Sequence, residues 1–247
     1  LTYNRVMAET IQTGGTSIAP RQLIWLALRD IAPVMLAAMP FGVVFAALAA
    51  KKGLPFDQIV LMSGLIFAGA SQFAALELWT VPPPFWLIVF SVLAVNFRHV
   101  LYSAALGRKM HHWPAAGRYG GFALMVDPIF ALAELRGGAR LSGVYYAAIA
   151  IPLYIGWMVA TALGALFGRF IEDPKVFGLD FVLGAYFIYL VAQFRERANA
   201  VPIILASAAL AVAAYFTIGP PWHIASGAFA GIIVAAGLAG RRAGVAA

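Results

Sequence analysis

Asn96, His99 and Ser103 stand at positions i, i+3 and i+7 of the stretch Asn-Phe-Arg-His-Val-Leu-Tyr-Ser, so a helix brings them to one face with Arg98 and Tyr102 flanking it. A guanidinium beside an imidazole, deep in an apolar run, suits an anionic group and a moving proton. The competing account is a snorkelling arginine, since Arg98 lies within ten residues of Arg108 and Lys109 and can extend toward an interface. Asp127, followed by Pro128, is the matching acid. Placing a carboxylate at the centre of a membrane helix costs ~2.5–3.5 kcal/mol even on the lenient scale, which makes it a functional candidate by default. It could pair with Arg98, bind an ammonium group or shuttle a proton, and His99 is the second proton carrier.

The third polar group is Gln72, in Phe-Ala-Gly-Ala-Ser-Gln-Phe at residues 67–73. A glutamine in hydrocarbon needs a partner. One reading is a helix that unwinds between Gly69 and Ser71, freeing backbone amides for a carboxylate that Gln72 orients. The other is a small-residue crossing point with Gln72 bonded to a neighbouring helix. A zwitterion with an apolar side chain would be met by Gly69, Ser71, Gln72 and Arg98 at its carboxylate and by Asp127 and Asn96 at its ammonium. Phe67, Phe73 and Tyr102 would wall the rest, with Ser103 on the same polar face. Glu77 and Glu134 lie nearer to segment ends and read as interfacial.

Enzyme chemistry is not expected. The four histidines, His99, His111, His112 and His223, lack metal-ligand spacing with carboxylates, so neither a metal nor another cofactor is anticipated. A phosphate-cradling Gly-x-x-x-x-Gly-Lys loop is missing too, so ATP hydrolysis is not assigned to this chain. The absence of cysteine removes disulfides and thiol chemistry.

The elements that must position these groups are membrane helices. Hydrophobic residues make up 63% of the 247 residues and charged ones only 11%, against roughly 25% in soluble proteins. Mean hydropathy is +0.87. Residues 31–50, 85–95, 144–167 and 201–216 carry no charged side chain, and spanning ~30 Å of hydrocarbon takes about 20 apolar residues. The net charge of +7 comes from Lys and Arg in the gaps between runs, which reads as topology determination and lipid contact, not nucleic-acid binding. Residues 1–20 lack an apolar core, so no signal peptide is expected there.

Eight hydrophobic segments fall at about 31–50, 57–80, 84–106, 119–135, 142–168, 178–194, 200–216 and 221–240. Backbone groups unpaired in lipid exclude open sheets, which predicts an all-α polytopic membrane protein. The short fourth segment, with Asp127 and Pro128 at its centre, is expected to be broken or re-entrant, leaving about seven spans with the basic loops on one side; eight spans is the alternative. An offset of about 119 brings Pro33, Pro55 and Pro82 onto Pro152, Pro174 and Pro202, which suggests an inverted repeat of segments one to three and five to seven. The expected organisation is a tail and interfacial helix over 1–30, one transmembrane domain over 31–240 and a tail over 241–247. Small-residue stripes at Gly156, Ala160, Gly164 and Gly168, and at Gly227, Gly231, Ala235 and Ala239, predict close helix packing or docking of a partner subunit.

The blocks F-A-G-A-S-Q-F at 67–73 and N-F-R-H-V-L-Y at 96–102, with the stretch 127–131, resemble the AzlC family, the large subunits of bacterial branched-chain amino acid exporters. The resemblance runs from about Ala32 to the last span. It implies a multi-pass protein of the bacterial cytoplasmic membrane that exports valine, leucine, isoleucine and neutral apolar relatives such as methionine. It also implies proton coupling and a small hydrophobic AzlD-type partner subunit. Passive channel activity and a purely structural subunit are the alternatives from other classes. One departure stands out: where the family often reads T-D-E, this chain has Val126, Asp127 and Pro128, keeping only the aspartate.

Overall fold

The computed structural model describes residues 19–167, 188, 191–192, 199–219 and 222–245. Most of the expected sixth segment, together with Gly168, Pro174, Arg195 and Arg197, lies outside them. The described residues form helices: α1 Pro20–Lys51, α2 Phe56–Leu65, α3 Gly69–Glu77, α4 Phe85–Gly107, α5 Ala115–Ala123, α6 Asp127–Arg136, α7 Gly143–Phe167, α8 Ala200–Thr217 and α9 Trp222–Val245. Four of these, α1, α4, α7 and α8, are long and apolar enough to cross a membrane. The chain divides into two compact units: Leu1–Gln72 with His99–Tyr186, and Phe73–Arg98 with Phe187–Ala247.

In the first unit, α1 and α7 lie side by side and run in the same direction. Met35 and Met39 approach Gly156, Gly42 meets Ala160 and Thr161, and Val43 and Ala46 meet Gly164. The predicted stripe on the fifth segment is thus the seam on which α1 packs, with no room for larger side chains at Gly42 and Gly164. The expected interfacial stretch is the start of α1 itself, which runs unbroken for 32 residues, about 48 Å at 1.5 Å per residue.

The second and fourth segments are each broken into two short helices, α2–α3 and α5–α6. The break in the fourth was expected; the break in the second falls at residues 66–68, with Gly69 and Ser71 inside α3, and not at Gly69 to Ser71. The reason is local. The amides of Ser71 and Gln72 both close on the Ala68 carbonyl at 3.0 Å, so the first turn of α3 is already wound there.

Both pairs double back. Ser63 of α2 bonds Thr161, Gly64 and Gly69 lie against Tyr154 and Trp157 lower on α7, and Gln72 has returned to the level of Ser63. The α5–α6 pair enters from the other end of α7. Trp113 lies against Gly143, Tyr146 reaches Gly121, and after the turn Glu134 pairs with Lys109 while Arg136 pairs with Asp30. The second segment turns back on itself, and α1 and α7 are parallel. The parallel pair does not match an inverted relation of the first and fifth segments.

The two hairpins share a build. Pro55 and Pro114, both extended, precede the first helix of each. At each break an amide abandons its helical carbonyl four residues back: Ala68 N–H goes to Ile66 O at 2.8 Å and Met125 N–H to Phe122 O at 3.2 Å. The carbonyls left behind, of Gly64 and Gly121, are taken by hydroxyls of α7, Tyr154 at 3.1 Å and Tyr146 at 2.7 Å. In hydrocarbon such groups have no water to turn to.

The core of this unit joins Leu26, Ile31 and Val34 of α1, Met125, Val126 and Ile129 at the second break, and Tyr145, Ile149 and Leu153 of α7. At its edge, Arg136 makes a two-pronged ion pair with Asp30, both bonds 3.0 Å, and Tyr145 donates to the same carboxylate at 2.9 Å. In the second unit α8 and α9 form an antiparallel pair, with Gly227 against Ala211 and Gly231 against Ser207 and Ile203, as that stripe predicted.

Tyr154→Phe and Tyr146→Phe should each lower stability by ~1–2 kcal/mol by orphaning a buried carbonyl, read as a fall in the unfolding temperature in detergent. Gly164→Leu, driven into the Val43 backbone, should cost more than either, because packed helices must separate.

Candidate functional site

The polar residues of the first unit gather at the two breaks. At the first, Gln72 Nε2 donates to Ser63 Oγ at 2.9 Å, and Ser63 Oγ is 2.9 Å from Thr161 Oγ1, tying α3, α2 and α7 together. Gln72, Ser63, Ser71 and Thr161 are fully buried. The amide of Gln72 therefore does bond neighbouring helices, as one reading had it. Its Oε1, however, is buried with no hydrogen-bond partner among the described residues. Exchanging the amide's N and O would leave the Nε2 donors in that place instead, so one end is unmatched either way.

A second buried group is unmatched close by. Trp157 lays the benzene edge of its indole on Gly69, where an added Cβ would come within 3.0 Å, and its Nε1–H has no partner among the described residues. A side chain at Gly69 would press on the indole, which would have to give by a few tenths of an ångström. Phe67, in the break, meets Tyr154 edge-on at 5.0 Å between ring centres. The break thus offers a buried acceptor, a buried donor and the start of a helix, walled by aromatic rings. Leaving such groups unpaired costs roughly 1–3 kcal/mol each, which favours a ligand or water that satisfies them.

At the second break, Tyr102 of α4 donates to Asp127 Oδ1 at 2.7 Å and stacks on Phe130 at 4.1 Å, nearly parallel. The His99 ring lies 5.6 Å from that of Tyr102. Asp127 opens α6, where Pro128 needs no hydrogen-bond acceptor. The arrangement His99–Tyr102–Asp127 puts two titratable side chains on either side of one phenol. Phe67 and Tyr102 both pack against the core of this unit.

The remaining candidates divide. Ser103 is half-buried on α4, one residue from Tyr102. Asn96, Arg98 and Phe73 belong to the second unit, all half-buried. Glu134 is in the Lys109 ion pair at 2.9 Å and Glu77 is exposed. Sequence reasoning missed Trp157, Tyr154, Ser63 and Thr161. Ser63 and Thr161 were visible as lone hydroxyls in apolar runs, but Trp157 and Tyr154 look like ordinary apolar-belt residues until the breaks they face are seen. Asp30 was also missed, at the border of the uncharged run.

Long apolar helices around two broken, returning helix pairs with buried polar breaks define an integral membrane protein. The chain belongs to the AzlC family: the model for "AzlC protein" matches residues 33–171. It is 27% identical over 215 residues to the inner membrane protein YgaZ of Escherichia coli, covering 84% of this chain and 87% of that one. It is 24% identical over 185 residues to the branched-chain amino acid transport protein AzlC of Bacillus subtilis, covering 72% of each. An uncharacterized membrane protein of Archaeoglobus fulgidus is 30% identical over 162 residues, covering 64% of this chain and 70% of that one. No solved structure matches.

Thr161→Val, which keeps the shape and removes the hydroxyl, should cost about 1 kcal/mol. It should also loosen Gln72 through Ser63, seen as faster hydrogen exchange of α3 amides while those of α5 are unchanged.

Proposed function

We propose that this protein is the large subunit of a secondary exporter of branched-chain and other neutral apolar amino acids, driven by protons and working with a small hydrophobic membrane subunit in the bacterial cytoplasmic membrane. The observation that carries the reading is the pair of unmatched buried groups at the first break, Gln72 Oε1 and Trp157 Nε1–H. An α-amino acid has the complement of both: a carboxylate that accepts from an indole N–H and from the opening amides of α3, and an ammonium that donates to an amide oxygen. Phe67 and Tyr154 supply the aromatic wall that an apolar side chain needs.

Proton movement falls to the second break. Asp127, held by Tyr102 and neighboured by His99, is the carrier assigned in this reading, and the two hairpins entering from opposite ends of α7 would put substrate and proton sites on two similar devices. On this reading α2–α3 and α5–α6 are inverted, re-entrant counterparts, a construction familiar in secondary transporters. The loss of the family's Thr and Glu around Asp127 leaves the aspartate as the carrier. The export direction and the partner come from the family resemblance, and the transport substrate named for the Bacillus relative agrees with the chemistry of the break.

The test is valine and leucine flux, with internal pH followed, in proteoliposomes holding this chain and its small partner. Trp157→Phe keeps the ring over Gly69 and deletes the N–H, so it should weaken half-saturation for valine about tenfold at unchanged expression. Asp127→Asn should abolish substrate-dependent proton movement. Undiminished flux and proton movement in both variants would overturn the assignment, and flux without proton movement in the unaltered protein would remove the coupling.

A further inference from the structure

Beside the second break and on the far side of its polar group, a groove of about 530 Å³ opens between α5 and the first turns of α7. Its size is within the ~300–1,000 Å³ that takes a ligand of moderate size. Trp113, Gly120, Leu124, Gly143, Tyr146 and Ile151 line it. The two aromatic walls, edge to face at 5.5 Å, have their polar atoms turned away and satisfied: Trp113 Nε1 donates to Leu141 O at 2.9 Å and Tyr146 Oη to Gly121 O at 2.7 Å. What remains is an apolar slot floored by glycines. It offers nothing to a zwitterionic amino acid, in contrast to the break at Gln72.

The loops that flank the groove have the opposite character. Residues 107–126 contain no acidic side chain. Lys109 is engaged by Glu134 and Arg136 by Asp30, whereas Arg108, Arg118 and Arg140 have no carboxylate partner among the described residues. The loops that carry them are held together, because Leu141 N–H bonds Lys109 O at 3.1 Å. Arg118 is one residue from Gly117 at the groove wall, and His112 is at its rim. An apolar slot bordered by loops that carry arginines without carboxylate partners, at the end of a transmembrane helix, is complementary to one kind of molecule abundant around it.

We propose that this groove is a binding site for an anionic phospholipid, one acyl chain lying between α5 and α7 and the phosphate meeting Arg118 with Arg108 and Arg140. Basic pockets between helices at a membrane face bind anionic headgroups through long-range attraction, and the chain is held by burial of its methylenes. The site braces the α5–α6 hairpin at its point of entry, next to the Tyr146 bond that caps its first helix.

The experiment is native mass spectrometry of the full, delipidated chain titrated with phosphatidylglycerol or phosphatidylcholine of identical acyl chains. Phosphatidylglycerol should be retained preferentially, and Arg118→Gln should lower its retention by about five-fold. Gly120→Leu should abolish retention, since a Cβ at Gly120 meets open space and the larger side chain fills the slot without a clash at its root. Should that variant fail to fold, phosphatidylglycerol brominated on its acyl chain should quench tryptophan emission in the unaltered protein by a component missing from Trp113→Phe. Equal retention of the two lipids, undiminished binding in Gly120→Leu, no Trp113 component, or release of the lipid on adding the small partner subunit would each overturn the proposal. The last would assign the groove to protein.

Discussion

A carbonyl that loses its helical amide inside a membrane must find another donor, and α7 supplies one twice. Tyr154 and Tyr146 take the carbonyls of Gly64 and Gly121, each stranded where a helix stops and turns back. Those hydroxyls lower the cost of keeping two interrupted helices in hydrocarbon, and without interruptions the polar groups at residues 67–72 and 127 would be carried on plain spanning helices. The α1–α7 seam, built on Gly42, Gly156 and Gly164, places α7 close enough to α1 for one helix to serve hairpins entering from both of its ends.

The two breaks use that freedom differently. The first is overdetermined on one side, with Gln72, Ser63 and Thr161 fixed to one another, and left open on the other, at Gln72 Oε1 and the Trp157 N–H. Rigid support behind unmatched groups is the arrangement expected of a preorganised binding site, because the ordering cost has already been met by the protein. The second break is occupied: Asp127 has its phenol partner and Phe130 fixes that phenol from below. The Asp30, Arg136 and Tyr145 cluster is matched within itself, a lock between α1, the end of α6 and the start of α7.

Much of this was legible beforehand. Charge-free runs announced α1, α7 and α8; the aspartate–proline pair announced the broken fourth segment; and the four-residue spacing of glycine and alanine announced both close helix pairs. Gln72, Asp127 and Tyr102 stood out because polar groups are expensive in lipid. The broken second segment was harder to place, since residues 66–68 are Ile, Phe and Ala, which are as compatible with a continuous helix as their neighbours. Trp157 was invisible as a donor for the same reason: its indole is at home in any membrane helix, and only its position over Gly69 shows that the N–H is buried and unmatched.

By itself the sequence determined that the chain is helical, that lipid is its solvent and which polar residues must be held within it, because hydrocarbon penalises exposed backbone and charge regardless of how helices are arranged. Direction and pairing were decided only by tertiary structure. Whether a short apolar segment crosses or returns depends on donors from another helix, here Tyr146 and Tyr154, and whether Asp127 meets Tyr102 or another partner depends on where α4 ends relative to α6. These are contacts between residues far apart in the chain. Local composition sets the cost of leaving such groups alone, and only the packing of α7 against its neighbours settles which partner removes it.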